Sequence, residues 1–150
     1  MTTKAIQEET LLPRLIDHWD QVGRKLAALA EEVPEVRFDY KPGDGVRTFD
    51  EVLRHIAFWN VYVRDVALGR KGNDQGNELS KDEAATKRQV IDALKTTSAA
   101  VSDALRSASG RLSPETAEMI VTFIEHTCEH YGQLVVYARL NGIVPPTSRG

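Results

Sequence analysis

The stretch that decides the fold of this chain is its last long apolar segment, residues 113–142, which reads SPETAEMIVTFIEHTCEHYGQLVVYARLNG. Ser113 is a favoured N-cap residue, and Pro114 fits the first helical position, where its missing N–H is no loss. Asn141 and Gly142 are typical of a helix end, and two prolines follow at positions 145 and 146. These signals predict one helix of about 27 residues, roughly 40 Å long.

Two histidines, His126 and His130, lie four residues apart on this helix. At 3.6 residues per turn their imidazoles are about 40° apart around the helix and roughly 6 Å apart along it, close enough to share one metal ion. Apolar residues around the pair continue an inward-facing pattern: Phe123, Ile124, Tyr131, Leu134 and Val135. The spacing alone leaves a second interpretation open, a partly exposed pair that hydrogen-bonds to Glu125, Glu129 or water.

Two amphipathic stretches occupy the first half of the chain. The first runs from about Ile6 to Glu31, and Pro34 follows it. Its apolar stripe comprises Leu12, Leu15, Ile16, Trp19, Val22, Leu26 and Leu29. The second begins with a capping box, in which Thr48 and Glu51 satisfy each other's free backbone N–H groups, and should end near Gly69.

A third helix is predicted from a second capping box, Ser80 with Glu83, and should continue toward Gly110. Its apolar positions include Val90, Ile91, Leu94, Val101 and Leu105. The Gly- and Asn-rich stretch before it, GRKGNDQGNELS at 69–80, indicates a mobile surface loop.

Four amphipathic helices and no convincing strand pattern predict an all-α fold, a four-helix bundle in which residues 1–150 form one domain. A long loop, VPEVRFDYKPGDGVR at 33–47, separates the first two helices, and its Phe38 and Tyr40 are expected to pack against the bundle. Because two connections are long, an up-down-up-down order of the helices is not required.

The composition argues against several classes of function and of cellular location. The chain is 41% hydrophobic and 27% charged with a net charge of −3, and its small basic cluster, Arg70 with Lys71, argues against nucleic acid as a ligand. The only cysteine, Cys128, excludes an intramolecular disulfide and suggests a reducing compartment. With no signal-peptide pattern and no apolar run long enough for a bilayer, a cytoplasmic protein without membrane contact is expected.

His55, on the second predicted helix, is the candidate third ligand beside His126 and His130. Three imidazoles leave a fourth position open to water or substrate, as in a catalytic site. The expected cofactor is a divalent metal ion, zinc or nickel first, with iron and manganese also compatible. His18 is interpreted as a non-ligand, or else a pocket residue; His55 itself could instead be an ordinary packed histidine.

Several neighbours of these histidines are candidates for further roles. Glu129 could fix an imidazole tautomer or act as a general base, although glutamates at this spacing more often form a solvated face. Cys128 should point away from the site and pack. Helical spacing nominates four residues that could line a pocket or simply pack: Trp59, Tyr62, Gln133 and Tyr137.

Two stretches resemble the DinB-like superfamily of metal-binding four-helix bundles, namely FDYKPGDGVRTFDEVLRHIAFW at 38–59 and HTCEHYGQLVVYARLNGIVPP at 126–146. In that family a histidine on the second helix and a histidine pair ahead of a Gly-Gln-Leu run bind a divalent metal. The resemblance therefore implies metal binding by His55, His126 and His130, and it also implies a homodimer.

The same resemblance suggests chemistry, because some branches of the superfamily are thiol-dependent S-transferases or maleylpyruvate isomerases that use bacillithiol, mycothiol or glutathione. The leading hypothesis is a metal-dependent thiol S-transferase or related enzyme acting on a low-molecular-weight thiol and an electrophilic small molecule. The alternatives are a non-catalytic dimer that binds a metal or small ligand or responds to stress, and a metal-free helical dimer.

Overall fold

The computed structural model describes residues 3–108 and 113–149, with side chains from residue 11 onward, and in those ranges it contains four α-helices and no strand. The helices are α1 (Thr3–Glu32), α2 (Phe49–Ala67), α3 (Lys87–Ser107) and α4 (Pro114–Leu140). Short 3-10 turns follow α1 at Glu35–Arg37 and α4 at Pro146–Ser148. The predicted all-α four-helix architecture is confirmed.

The caps of α2 and α4 lie where the sequence predicts them. The Thr48 side chain accepts the Glu51 N–H while the Glu51 carboxylate accepts the Thr48 N–H, so the capping box of α2 is complete. Ser113 caps α4 by accepting the Thr116 N–H, and Gly142 follows the helix with a φ of +73°. Local hydrogen bonds thus set both ends of the helix that carries the histidine pair.

The predicted start of the third helix at Ser80 is wrong. Ser80 and Glu83 do hydrogen-bond, but they close an isolated turn, and α3 begins six residues later, where Thr86 and Gln89 form the capping box. The physical reason lies in residues 81–86, KDEAAT, which contain no large apolar side chain that could hold a helix on the core. The predicted end near Gly110 lies outside the described residues.

The order of the helices around the bundle brings α2 next to α4. Helix α1 packs against α3 and α4, and α2 packs against the same two helices, so α1 and α2 occupy opposite corners. The long 33–48 connection therefore crosses between corners. As a result His55 on α2 faces the two histidines of α4.

The crossing connection is fastened to the start of α2. Phe38 and Tyr40 accept backbone N–H groups of Asp50 and Phe49 through their carbonyls, both at 2.9 Å. Their rings pack as predicted: Phe38 is buried 5.2 Å from the Phe49 ring, and Tyr40 meets Tyr137 edge-on at 5.9 Å. This packing fixes the path of the chain up to Arg47, beside the site described next.

None of the described helices is apolar over a length that would cross a membrane.

Candidate metal centre

Three histidines converge between α2 and α4. The ring centroids of His55, His126 and His130 are 4.6–4.9 Å apart, and the candidate ligand nitrogens all lie within 4.8 Å of one another. His55 is buried and the other two are half-buried. The structure therefore brings together the three side chains that the sequence nominated as ligands.

His55 is oriented by a loop that is remote in sequence. Its Nδ1 lies 2.5 Å from the backbone carbonyl oxygen of Asn77. Because a carbonyl only accepts hydrogen bonds, Nδ1 must carry the hydrogen, which leaves a lone pair on Nε2. That Nε2 points toward the other histidines and lies 2.9 Å from Nε2 of His126.

His130 is oriented by a chain of hydrogen bonds that runs along α4 and ends at the Arg47 carbonyl, in the connection before α2. The Tyr137 hydroxyl donates to the Arg47 carbonyl and accepts from Nε2 of Gln133, whose Oε1 lies 2.9 Å from Nδ1 of His130. Because the Arg47 carbonyl can only accept, the direction of every donor in the chain is fixed. His130 therefore also carries its hydrogen on Nδ1, which leaves the lone pair of Nε2 free to bind a metal ion.

Electrostatics keeps two of the imidazoles neutral. Burial lowers the pKa of His55 to about 4, and the positive charge of Arg47 acts in the same direction. Burial also lowers the pKa of His126 to about 4, with further contributions from His130, His55 and Arg47. A neutral imidazole is the form that binds a metal ion.

These donors fit a divalent metal ion. Two Nε2 lone pairs at 2.9 Å repel each other unless a proton or a cation lies between them. The candidate ligand nitrogens of all three histidines lie within 4.8 Å of one another, so one ion could contact them together after movement of the side chains. The defined tautomers of His55 and His130 meet the usual requirement that the outer nitrogen of a ligand histidine has a partner.

An aromatic wall borders one side of the histidines. It consists of Trp59, Tyr62 and Phe123, whose ring centroids are 5.4–5.8 Å apart. Trp59 lies edge-on to His55 and Phe123 edge-on to His126. The wall supplies an apolar surface against which a small organic ligand could pack.

The loop between α2 and α3 lies against this site. Asn77 accepts the Trp59 indole N–H through its side chain, in addition to its backbone contact with His55. The loop also packs so closely that a Cβ on Gly72 would come within 2.4 Å of the Tyr62 ring, and one on Gly76 within 2.9 Å of Phe58. The structure thus gives this predicted surface loop many contacts to α2; whether it is mobile stays a prediction.

Other nominated residues lie elsewhere or have different contacts. Glu129, Cys128 and His18 are exposed, and among the described residues none of them hydrogen-bonds to the three histidines. Tyr137 is buried in the core, and its hydroxyl is occupied by Arg47 and Gln133. Gln133 contacts His130 directly, so its place beside the site is a supporting one.

Sequence reasoning missed Asn77, Arg47 and Glu78. Asn77 contributes a backbone carbonyl, for which no residue type is a signal. Arg47 and Glu78 pair through Nε and Oε2 at 3.2 Å although they are 31 positions apart. Their pairing is visible only in the structure, where the connection before α2 meets the loop before α3 beside the histidines.

The fold and the site define the class of this protein, a four-helix bundle with three converging histidines between its second and fourth helices. A family model described as the DinB superfamily matches residues 18–134, which include all three histidines and Gln133. The chain belongs to the DinB superfamily. A search of curated proteins gave no match.

Proposed function

We propose that His55, His126 and His130 bind one divalent metal ion, with zinc or nickel expected before iron or manganese. The observation that carries this proposal is the convergence of the histidines with two outer nitrogens held by acceptors. Imidazole is a good ligand for each of these metals, so the donor set supports a metal without selecting one.

We further propose that the site serves a thiol-dependent reaction, a thiol S-transfer or a related isomerisation. Three protein ligands would leave one position open, and a divalent ion lowers the pKa of a thiol that binds there, making it nucleophilic at neutral pH. Side chains beside the histidines would supply the binding surface for the second reactant. Trp59 and Phe123 offer an apolar surface to an electrophilic partner and exclude water from one side of the histidines.

Metal content tests the first proposal. We expect about one ion per chain in protein purified without a histidine tag, and loss of the ion in His55→Ala and in His130→Ala, because each removes a ligand on a different helix. His18→Ala is the matched control, since His18 is exposed and outside the cluster. A parent protein with far less than one ion per chain, even after addition of zinc or nickel, would contradict the site.

Turnover tests the second proposal. Metal-loaded protein should conjugate a low-molecular-weight thiol to an electrophile, and the rate should vanish in His126→Ala. If metal binds normally but no thiol and electrophile pair reacts above background, the non-catalytic alternative, a binding or stress-response protein, takes the place of the enzyme.

We also propose a homodimer in the cytoplasm. The support for the dimer is the resemblance to a family that forms homodimers, together with Val136 and Leu140, which lie one turn apart on α4 and are 53% and 61% exposed. The support for the compartment is the single cysteine, which can form no disulfide within the chain.

A further inference from the structure

The groups that hydrogen-bond to the outer nitrogens of His55 and His130 are connected by one ion pair, Arg47 with Glu78. The hydrogen bonds behind His130 end at the Arg47 carbonyl, and the side chain of the same arginine donates from Nε to Glu78 at 3.2 Å. Glu78 directly follows Asn77, whose carbonyl accepts from His55. The two histidines are thus joined on their outer sides by a path of residues that passes through Arg47 and Glu78.

Glu78 also faces a second, buried arginine. Arg54, on α2, is 1% exposed and pairs with Asp50 at 2.5 Å, while its other terminal nitrogen lies 3.9 Å from the second Glu78 oxygen. Within the described ranges, Nε of Arg54 has no hydrogen-bond partner. A buried guanidinium with so few partners strongly favours a carboxylate nearby, so Arg54 draws Glu78 toward α2.

The attachment of Glu78 matters because few other hydrogen bonds hold the loop at this point, although the loop packs closely on α2. Close to Asn77, the remaining hydrogen bonds are the Trp59 indole to the Asn77 side chain and the Leu79 N–H to the Arg54 carbonyl, both at 3.2 Å. Neither connects the loop to Arg47. Among the hydrogen bonds and ion pairs of the described residues, the Arg47–Glu78 pair is the one that links the loop supporting His55 with the connection supporting His130.

We infer that Glu78 is a positioning residue for the metal centre, which it serves by pairing with Arg47 and Arg54 so that both outer supports are in place together. The inference rests on the proposed metal site. Glu78 itself does not contact the histidines. It acts through the Asn77 carbonyl on one side and through the Arg47 carbonyl, Tyr137 and Gln133 on the other.

Two charge-removing variants test the inference. Glu78→Gln keeps the size of the side chain and removes its charge; Arg47→Met breaks the same pair from a residue that is only partly buried, in case the first variant folds poorly. Glu83→Gln is the control, because Glu83 is nearby and exposed but bonds to Ser80 instead of the arginines.

Zinc affinity is measured by competition with a chromophoric chelator. We expect a 10- to 100-fold loss in Glu78→Gln and in Arg47→Met, the usual effect of removing an outer support of a metal ligand, and no change in Glu83→Gln. The double variant should be no weaker than the weaker single one, since both break the same pair. Affinities within twofold of the parent, or losses that add in the double variant, would overturn the inference.

A second measurement does not require metal and excludes a purely structural role. Nitrogen-15 NMR of the metal-free protein reports the tautomers of the histidines. We expect His55 and His130 to be Nδ1–H tautomers in the parent and to lose that preference in Glu78→Gln, while Glu83→Gln keeps it. Unchanged tautomers would overturn the role of Glu78, whereas a parent with these tautomers and no metal affinity would overturn the proposed function instead.

Discussion

The rings of the three histidines at this site are held in place by different groups. A backbone carbonyl fixes His55 and a side-chain amide fixes His130. His126 lies against the Phe123 ring, and among the described residues its hydrogen bond is to His55 through Nε2. His126 is therefore the candidate ligand whose ring is oriented mainly by packing.

The lowered pKa values of His55 and His126 predict how stability depends on pH. An unfolded histidine titrates near pH 6.5, whereas these two titrate near pH 4 in the folded protein. Between those values the unfolded chain binds protons that the folded chain does not, so the free energy of unfolding should fall as the pH falls. The loss approaches the order of 3 kcal/mol per histidine at pH 4.

Urea unfolding of the metal-free protein at pH 7 and pH 5, in the presence of a chelator, measures this dependence. His126→Gln should show a smaller loss between the two values than the parent, because one of the two groups is gone. His18→Gln leaves the cluster intact and should keep the parental dependence. Equal losses in His126→Gln and the parent would show that protonation of His126 does not oppose folding.

The candidate metal ligands could be predicted from the sequence, but the groups that hold their rings in place could not. His126 and His130 share a helix face by spacing alone, and the expectation of a bundle nominated His55 on the second helix, which the resemblance then supported. Asn77 acts through its main chain, which every residue has, and Arg47 meets Glu78 only because two connections converge. Such contacts depend on the path of the chain, which local patterns do not contain.

Among the elements, α3 shows how two equal local signals are resolved by packing. Both Ser80 with Glu83 and Thr86 with Gln89 match the capping-box pattern in sequence. The Ser80 hydroxyl donates to the Glu83 carboxylate instead of accepting the Glu83 N–H, and only Thr86 with Gln89 forms the complete box and is followed by a helix. The second one precedes the buried residues Val90, Ile91 and Leu94. A cap thus marks where a helix can begin, and apolar residues downstream decide whether it does.

This difference predicts unequal effects of removing the two caps. Thr86→Ala should lower the free energy of unfolding by about 1 kcal/mol, the usual cost of losing an N-cap, and the melting temperature by about 2–4 °C. Ser80→Ala should change the free energy by less than about 0.5 kcal/mol, because its turn is exposed and starts no helix. Thermal unfolding followed by circular dichroism compares them. A larger effect of Ser80→Ala would place the start of the helix at the earlier box.

For the molecule as a whole, the four-helix class followed from the amphipathic patterns, whereas the arrangement of the helices did not. The pairing of α1 with α3, and of α2 with α4, depends on how the 33–48 connection crosses the bundle. Its course is set by long-range contacts, such as the buried Phe38 ring on Phe49. The site lies between α2 and α4 as a result of that crossing.

The proposed dimer, with the exposed pair Val136 and Leu140 of α4 in its interface, predicts the mass of the protein in solution. Light scattering after size exclusion should give twice the 16.7 kDa of one chain. Leu140→Glu should shift the protein toward one chain by placing a charge beside Val136, whereas Leu11→Glu, at a leucine of α1 that is also exposed, should not. A parent protein with the mass of one chain would contradict the proposed dimer.

The carbonyl that supports His55 has a consequence for how this loop can vary. Because every residue type provides the same main-chain oxygen, Asn77→Ala would keep the acceptor of that hydrogen bond, and a scan of side chains would overlook the part that position 77 plays. An insertion, a deletion or a changed turn would remove it without altering any histidine. The residue type at position 77 could therefore vary without loss of this acceptor, provided that the loop keeps its length, its course and the carboxylate of Glu78 that holds it beside Arg47.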